Sequence, residues 1–200
     1  MTNDEITKVL TENSGVGRRF SSASLENFTP INELAKQALS ACELFVGEWG
    51  AITTNGSNML LLGRPGTGKT HLSVAVMRAL IERHDADVYL TTAQRIIRAM
   101  RDSWRQNSER TEYDVLGFYC DQDLLVIDEI GMQHGTDSER LLVSEVINTR
   151  YEQMLPCILV SNYTREELDA FLGYRAMDRV MESAAVIPFA WDSYRTGNHG

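Results

Sequence analysis

Short apolar runs alternate with longer stretches of helical periodicity along most of this chain. The five β-like runs are residues 59–62, 88–91, 124–128, 157–161 and 185–189. Helical patterns lie between them, so strands and helices are expected to follow one another along the sequence. Such alternation is typical of parallel strands covered on both faces. The pattern therefore predicts an α/β fold with a five-stranded parallel sheet flanked by helices.

The first helical stretch runs from residue 31 to residue 49. An amphipathic helix is predicted there because apolar side chains recur at nearly every fourth position, namely Leu34, Ala38, Cys42, Phe45 and Trp49. The preceding residues 1–20 are polar and contain Gly15 and Gly17. We therefore expect a flexible leader over residues 1–20, followed by one domain over residues 21–200.

A glycine-rich turn interrupts the apolar run at residues 59–62, in the stretch MLLLGRPGTGKTHLSVAVMRAL. It matches the phosphate-loop pattern G-x-x-x-x-G-K-[ST] with Gly63, Arg64, Pro65, Gly66, Thr67, Gly68, Lys69 and Thr70. In this pattern the backbone amides hold phosphates, the lysine reaches the β- and γ-phosphates and the hydroxyl ligates Mg²⁺. The helix predicted over residues 71–82 directs its positive end at the same anion. The alternative is a glycine turn that serves only packing.

Two carboxylates end the apolar run at residues 124–128. Ligands of parallel α/β sheets bind beyond the carboxyl ends of the strands, where the glycine-rich turn also opens. Asp128 is suited to hold Mg²⁺, and Glu129 is suited to act either as the base for an attacking water or as the group that orients it. The alternative is a strand that simply ends in polar residues.

The apolar run at residues 157–161 also ends in a polar side chain, Asn162. This amide is suited to hold a hydrolytic water against the γ-phosphate. Asparagine is also an ordinary turn residue after a strand. The residues alone leave both interpretations open.

Length and composition limit the classes of protein to which this chain can belong. The chain has 200 residues, of which 43% are hydrophobic, which is enough for one well-cored α/β domain. The sequence has no signal peptide and no apolar run near the length of about 18 residues that spans a membrane, so we expect a cytoplasmic protein with no membrane contact. Cys42, Cys120 and Cys157 lack metal-like spacing, which indicates ordinary reduced thiols.

A basic segment stands out in a chain whose net charge is −9. Residues 95–105 contain four arginines and Trp104. On a helix the arginines occupy one arc, and Ile96, Ile97 and Met100 lie beside it. An arginine face bordered by an aromatic ring is typical of single-stranded nucleic acid binding. The alternative is that Trp104 completes the apolar core stripe and the arginines are only solvated.

Five motifs in order resemble the DnaC/IstB-type AAA+ ATPases, and more closely the DnaC replicative-helicase loaders. They are residues 24–28, 63–71, 123–131, 177–181 and 191–195. The resemblance implies a P-loop NTPase of the AAA+ ASCE type that binds and hydrolyses ATP, with nucleotide contacts extending to His71. It also implies that no helical lid follows the domain.

The resemblance also assigns individual residues. It implies that Asn162 is the sensor and that Arg179 is the finger reaching the ATP of a neighbouring subunit in a homo-oligomer, with Arg175 as a second candidate. It implies that Arg101 and Trp104 contact single-stranded DNA. An arginine on a helix is more often a solvated charge or a partner of a neighbouring acid, such as Asp178 or Glu182, and that alternative stays open.

The helicase-loader function implied by this resemblance has three competitors. A DnaB-type replicative helicase would be the partner, although only about 20 residues precede the matching region, where loaders carry several helices. We therefore do not expect the known helicase contact to be repeated. The competitors are an IstB-type transposition helper, an ATP-switched binding module that regulates or blocks a helicase or its loader, and a small-molecule P-loop kinase. The Asp-Glu pair and Asn162 suit water activation and make the kinase the weakest of these.

Overall fold

A computed structural model of the chain describes residues 1–132 and 136–195. The predicted α/β fold is confirmed. Five parallel strands form one sheet in the order β2-β3-β4-β1-β5. Their bounds agree with the five predicted runs: β1 Asn58–Gly63, β2 Val88–Thr92, β3 Leu124–Ile130, β4 Cys157–Ser161 and β5 Ala184–Phe189.

Helices cover both faces of this sheet, as predicted. Alternate residues of each strand point to opposite faces, so Leu61 and Val126 pack in one core whereas Leu60 and Ile127 pack in the other. Within the described part of the chain no helix follows β5. The helices are α1 Asn3–Glu12, α2 Glu33–Gly47, α3 Trp49–Asn55, α4 Lys69–His84, α5 Ala93–Ser103, α6 Glu112–Cys120, α7 Asp137–Glu152, α8 Arg165–Leu172 and α9 Tyr174–Ser183, with a 3-10 turn at Arg18–Phe20.

The prediction of a flexible leader over residues 1–20 is wrong. Thr2 caps α1 and forms a reciprocal capping box with Glu5, which offsets the cost of a short polar helix. Ile6 and Leu10 are buried in the same core as α4. The first residues are therefore an ordered part of the α/β fold.

The loop after α1 also covers an edge of the sheet. β2 is an edge strand, and the backbone N–H of Leu90 donates to the carbonyl of Ser14 at 2.9 Å. Gly15 has a φ of +71°, and a Cβ built there would lie 2.2 Å from the Leu90 carbonyl oxygen. Only glycine permits this close approach of the two backbones.

The helix predicted over residues 31–49 is divided into α2 and α3. Four of the five apolar positions are buried as expected, but Leu34 is exposed. The helix predicted over residues 71–82 is confirmed within α4, which is buried on nearly all sides. Such burial follows from its position between the sheet and the helices α1 and α2.

One buried arginine ties α6, α7 and the starts of β3 and β4 together. Arg150 is 0% exposed. Its guanidinium donates to the carbonyl oxygens of Tyr119 at 2.6 Å, Gln122 at 3.0 Å and Pro156 at 2.8 Å. The planar fork of arginine satisfies several orphan carbonyls at once.

None of the helices in the described ranges has both the length and the apolar character needed to cross a membrane. The sheet order places β1 and β3 on either side of β4. Their carboxyl ends therefore meet at one edge of the sheet, which is where the predicted site residues follow each strand.

Candidate nucleotide-binding site

The turn between β1 and α4 has the backbone of a phosphate loop. Gly66 and Gly68 have φ values of +81° and +96°, a region that favours glycine. A Cβ on Gly66 would lie 2.1 Å from Ser193 Oγ, and one on Gly68 would lie 2.8 Å from the Phe28 ring. Both glycines are therefore required by conformation and by close packing.

Lys69 is held inside this loop. Its Nζ donates to the carbonyl oxygens of Gly63 at 2.6 Å and Arg64 at 2.8 Å. Burial lowers the pKa of Lys69 from its ordinary value to about 8; the charge of Asp128 opposes this decrease and that of Arg195 adds to it. The Lys69 ammonium is thus poorly solvated, and a phosphate bound in the loop would give it a negatively charged partner.

Thr70 and Asp128 form the pair that was predicted to hold Mg²⁺. Thr70 Oγ1 donates to Asp128 Oδ2 at 2.7 Å, and the Glu129 backbone N–H donates to Asp128 Oδ1 at 2.7 Å. A carboxylate and a hydroxyl supply the oxygen ligands that Mg²⁺ prefers. The donor set beside the phosphate loop therefore fits this ion.

Glu129 has an unusual backbone conformation. Its φ is +58°, and the pairing of β3 with β4 shifts register between Ile127 and Ile130. A bulge of this kind re-aims a side chain out of the strand alternation. Glu129 is consequently exposed next to buried Asp128, and it lines the cavity over the phosphate loop. Local strain of this type clusters at functional sites.

One cavity of about 400 Å³ collects most of the predicted residues. Asn162, at the end of β4, lines it beside Glu129. The other predicted residues that line it are Pro65, Gly66, Gly68, Lys69, Thr70, His71 and Asp128. Gly63, Arg64 and Thr67 do not line it; the first two hold Lys69, and buried Thr67 donates to the Arg64 carbonyl at 2.8 Å.

Sequence reasoning gave no role to the other walls of this cavity. They come from the segments before α2 and after β5: Arg19, Phe20, Asn27, Phe28, Thr29, Tyr194 and Arg195. The motifs at residues 24–28 and 191–195 were the features of the sequence that could have indicated these cavity-lining residues. Tyr194 ties the two walls together, because its hydroxyl donates to the Thr29 carbonyl at 2.8 Å and its N–H to the Gly66 carbonyl at 2.9 Å.

Arg179 lies outside this cavity, on α9. Its Nη1 is 3.4 Å from Glu152 Oε1, and its guanidinium carbon is 5.4 Å from the centroid of the Tyr151 ring. The acid that pairs with it is Glu152 of α7, and neither Asp178 nor Glu182 forms an ion pair with it in the described residues. Arg175 is exposed on the same helix.

The candidate DNA-binding residues lie at the end of α5. Trp104 is 54% exposed, and its Nε1 donates to Glu112 Oε2 at 2.7 Å. The alternative that Trp104 completes the core stripe is therefore wrong. Arg101 Nη2 lies 3.2 Å from Glu139 Oε1, and Arg105 Nη2 lies 3.1 Å from Asp102 Oδ1. Two of the four arginines are thus already paired with acids.

Comparisons with known proteins agree with this geometry. The family described as "IstB-like ATP binding protein" matches residues 43–199. The replicative helicase loader DnaC of Escherichia coli K12 is 34% identical over 184 residues, which cover 92% of this chain and 73% of that protein.

Two solved structures share the fold. The crystal structure of the DnaC helicase loader superposes with a TM-score of 0.78 at 24% identity, covering 86% of this chain and 99% of that one. The replication initiator DnaA bound to AMPPCP and single-stranded DNA gives 0.71 at 21% identity, covering 88% and 51%. The matched residues include the phosphate loop and the Asp128-Glu129 pair, and the chain therefore belongs to the DnaC/IstB family of AAA+ ATPases.

Proposed function

We propose that this protein binds ATP with Mg²⁺, hydrolyses it, and acts in DNA replication as a helicase-loader-like ATPase. The observation that carries the proposal is the convergence of Lys69, the Thr70–Asp128 pair, Glu129 and Asn162 on one cavity. Phosphoryl transfer depends mainly on positioning and on charge. These residues supply a cation, metal ligands and two polar groups at the carboxyl ends of three adjacent strands.

Each residue has a distinct role in this proposal. Lys69 exchanges the Gly63 and Arg64 carbonyls for the β- and γ-phosphates when ATP enters. Thr70 and Asp128 would hold Mg²⁺, which neutralises phosphate charge when it is bound. Glu129 orients the attacking water and accepts its proton, and Asn162 helps to hold that water against the γ-phosphate.

Arg179 is proposed to act on the ATP of a neighbouring subunit in a homo-oligomer. It does not line the cavity of its own chain and contacts Glu152 and the Tyr151 ring instead. A guanidinium is suited to stabilise charge on a transferring phosphoryl group. Its half-exposed position on α9 supports this assignment, with Arg175 as the alternative finger.

Single-stranded DNA is proposed to bind at Arg101 and Trp104. The exposed Trp104 ring offers a stacking surface, and the arginines of α5 offer phosphate contacts. A DnaB-type replicative helicase is the proposed protein partner, because the DnaC relative is a replicative helicase loader. A binding module that regulates or blocks a helicase would use the same partner.

A transposition-helper function is the second candidate, and the family match to IstB-like proteins favours it. The two functions differ in the nucleic acid that they use. A comparison of single-stranded with duplex DNA binding by the full chain distinguishes them, since preference for duplex DNA would favour the transposition helper.

The central test measures ATP binding and turnover in the wild type and two variants. Lys69→Ala should abolish detectable ATP binding. Glu129→Gln should retain binding and lose hydrolysis, because the amide keeps the shape of the carboxylate but cannot accept a proton. Unchanged turnover in Glu129→Gln would remove this residue from the proposed catalytic role.

A further inference from the structure

A second buried arginine lies on the helix that begins at the phosphate loop. Arg78 of α4 is only 6% exposed. In the described ranges no carboxylate is within ion-pair distance of it. A buried charge without an ionic partner is costly, so the contacts that keep Arg78 in place must compensate for its lost hydration.

Those contacts are hydrogen bonds to two segments distant in sequence. Nε donates to the Ala23 carbonyl at 3.0 Å, and Nη2 donates to the Ser21 carbonyl. Nη1 donates to Asn3 Oδ1 at 2.7 Å, and Nη2 also donates to Thr7 Oγ1 at 3.0 Å. One guanidinium thus joins α4 both to helix α1 and to the loop at residues 21–23.

This loop connects two stretches of the cavity wall. Arg19 and Phe20 precede it, and Asn27, Phe28 and Thr29 follow it. Residues 19–29 therefore form a wall segment that is anchored at its middle by Arg78. Because Arg78 and Lys69 share one helix, the anchor fixes the distance between this wall and the phosphate loop.

The chemistry of the wall indicates which part of a nucleotide it faces. The phosphate end of the cavity is bounded by the glycine loop and Asp128. The remaining lining is mixed, with polar side chains beside the aromatic ones of Phe20, Phe28, His71 and Tyr194. The Phe28 ring centroid lies 5.7 Å from that of Tyr194 and 5.6 Å from that of His71. Aromatic rings stack favourably on nucleobases. They have no comparable interaction with a phosphate chain that carries no base.

We propose that Arg78 is a positioning residue for the nucleotide base, which fixes the wall at residues 19–29 against α4 and makes helix α1 part of the same support. This inference rests on the proposed ATP-binding function. Arg78 touches none of the groups assigned to hydrolysis. Its loss therefore acts on nucleotide affinity and leaves turnover at saturating ATP nearly unchanged.

The test compares four variants of the full chain at a temperature well below their melting temperatures. Arg78→Met removes all four hydrogen bonds, and Arg78→Lys keeps the charge but not the planar fork. Asn3→Ala combined with Thr7→Val removes only the support from α1. Arg83→Met is the matched control, because Arg83 lies on the same helix and contacts Glu26 of the same wall, at 3.7 Å, but is exposed.

Arg78→Met is expected to weaken ATP affinity by about tenfold, as the loss of one to two net hydrogen bonds would, with kcat within about twofold of the wild type. The Asn3/Thr7 variant and Arg78→Lys should show smaller losses, and Arg83→Met none. Affinity for magnesium tripolyphosphate, which has no base, should be the same in Arg78→Met and in the wild type.

Three outcomes would overturn the inference. ATP affinity in Arg78→Met could equal that of the wild type while its melting temperature falls, which would make Arg78 purely structural. Tripolyphosphate and ATP could lose affinity equally, which would place the defect in the phosphate loop. Failure of the wild type to bind ATP would refute the proposed function and this inference with it.

Discussion

Arg101 Nη2 lies 3.2 Å from Glu139 Oε1, and the Glu139 side chain is only 5% exposed. The other carboxylate oxygen of Glu139 is buried and has no hydrogen-bond partner in the described residues. This contact joins the proposed DNA-binding end of α5 to the first turn of α7. A DNA phosphate would have to compete with Glu139 for the same guanidinium.

Glu139→Gln should therefore strengthen binding of single-stranded DNA. The substitution removes the competing negative charge, and the dependence of log affinity on log salt should steepen by about 0.7 if one more phosphate is contacted. Fluorescence anisotropy over a salt series measures both quantities. Asp137→Asn is the control, because Asp137 lies in the same helical turn but pairs with Arg140. An equal gain in DNA affinity in this variant would show that the effect comes only from the change in net charge.

ATP affinity should fall as the pH rises above about 8. Lys69 has a pKa of about 8 in the unliganded protein, and only its protonated form attracts the phosphates. Binding above this pH must take up a proton, with a loss of affinity approaching tenfold per pH unit. Calorimetry in two buffers of different ionisation enthalpy measures the proton uptake directly, and equal heats in both at pH 9 would contradict it.

The low pKa of Lys69 has the opposite effect on the free energy of unfolding of the unliganded protein, which rises with pH where ATP affinity falls. The folded state releases the Lys69 proton near pH 8, whereas the unfolded state keeps it to about 10.4. Between these values the unfolded state binds more protons, so the Lys69 contribution to stability increases with pH.

Hydrolysis should depend on assembly if Arg179 serves a neighbouring subunit. Activity per subunit should then rise with protein concentration, and Arg179→Ala should lose it. A mixture of Arg179→Ala with Glu129→Gln should recover part of the activity, since some interfaces join an intact Glu129 to an intact Arg179.

Arg175→Ala gives the matched comparison for this experiment, because Arg175 is exposed on the same helix. Retained activity in Arg175→Ala and recovery in the mixture would identify Arg179 as the finger. If both Arg179→Ala and Glu129→Gln assemble and their mixture stays inactive, action between subunits is refuted.

Arg150→Met should destabilise the fold by about 3 kcal/mol or more. The substitution leaves the buried carbonyls of Tyr119, Gln122 and Pro156 without their donor, at a cost of about 1–3 kcal/mol each. Urea unfolding measures the change. Arg98→Met, at an exposed position, should stay within about 0.5 kcal/mol of the wild type, and a comparable loss there would contradict the role of burial.

The sheet and the phosphate end of the site were predictable because their signals are local. The apolar runs end in Gly63, Asp128 and Asn162, and the topology of parallel strands brings those ends together. The exposure of Trp104 and the pairing of Arg179 with Glu152 were not predictable, since both depend on which residues of another helix lie opposite.

The ordered N-terminus was missed for a similar reason. Polar composition and two glycines suggested flexibility, but α1 is held by a capping box and by Arg78, which lies 75 residues after Asn3. Gly15 marks a close backbone contact with β2 and not a flexible segment. A pattern along the chain cannot distinguish these two uses of glycine.

The Ser14–Leu90 contact also limits how copies of this chain can join. An uncovered edge strand offers a row of free amides and carbonyls to any other extended chain. The loop at residues 14–16 occupies this position on β2, and the opposite edge strand, β5, contains Pro188, which has no N–H to donate. Growth of the sheet by strand addition is therefore disfavoured at Leu90 on one edge and at Pro188 on the other, which is a common protection against edge-to-edge aggregation.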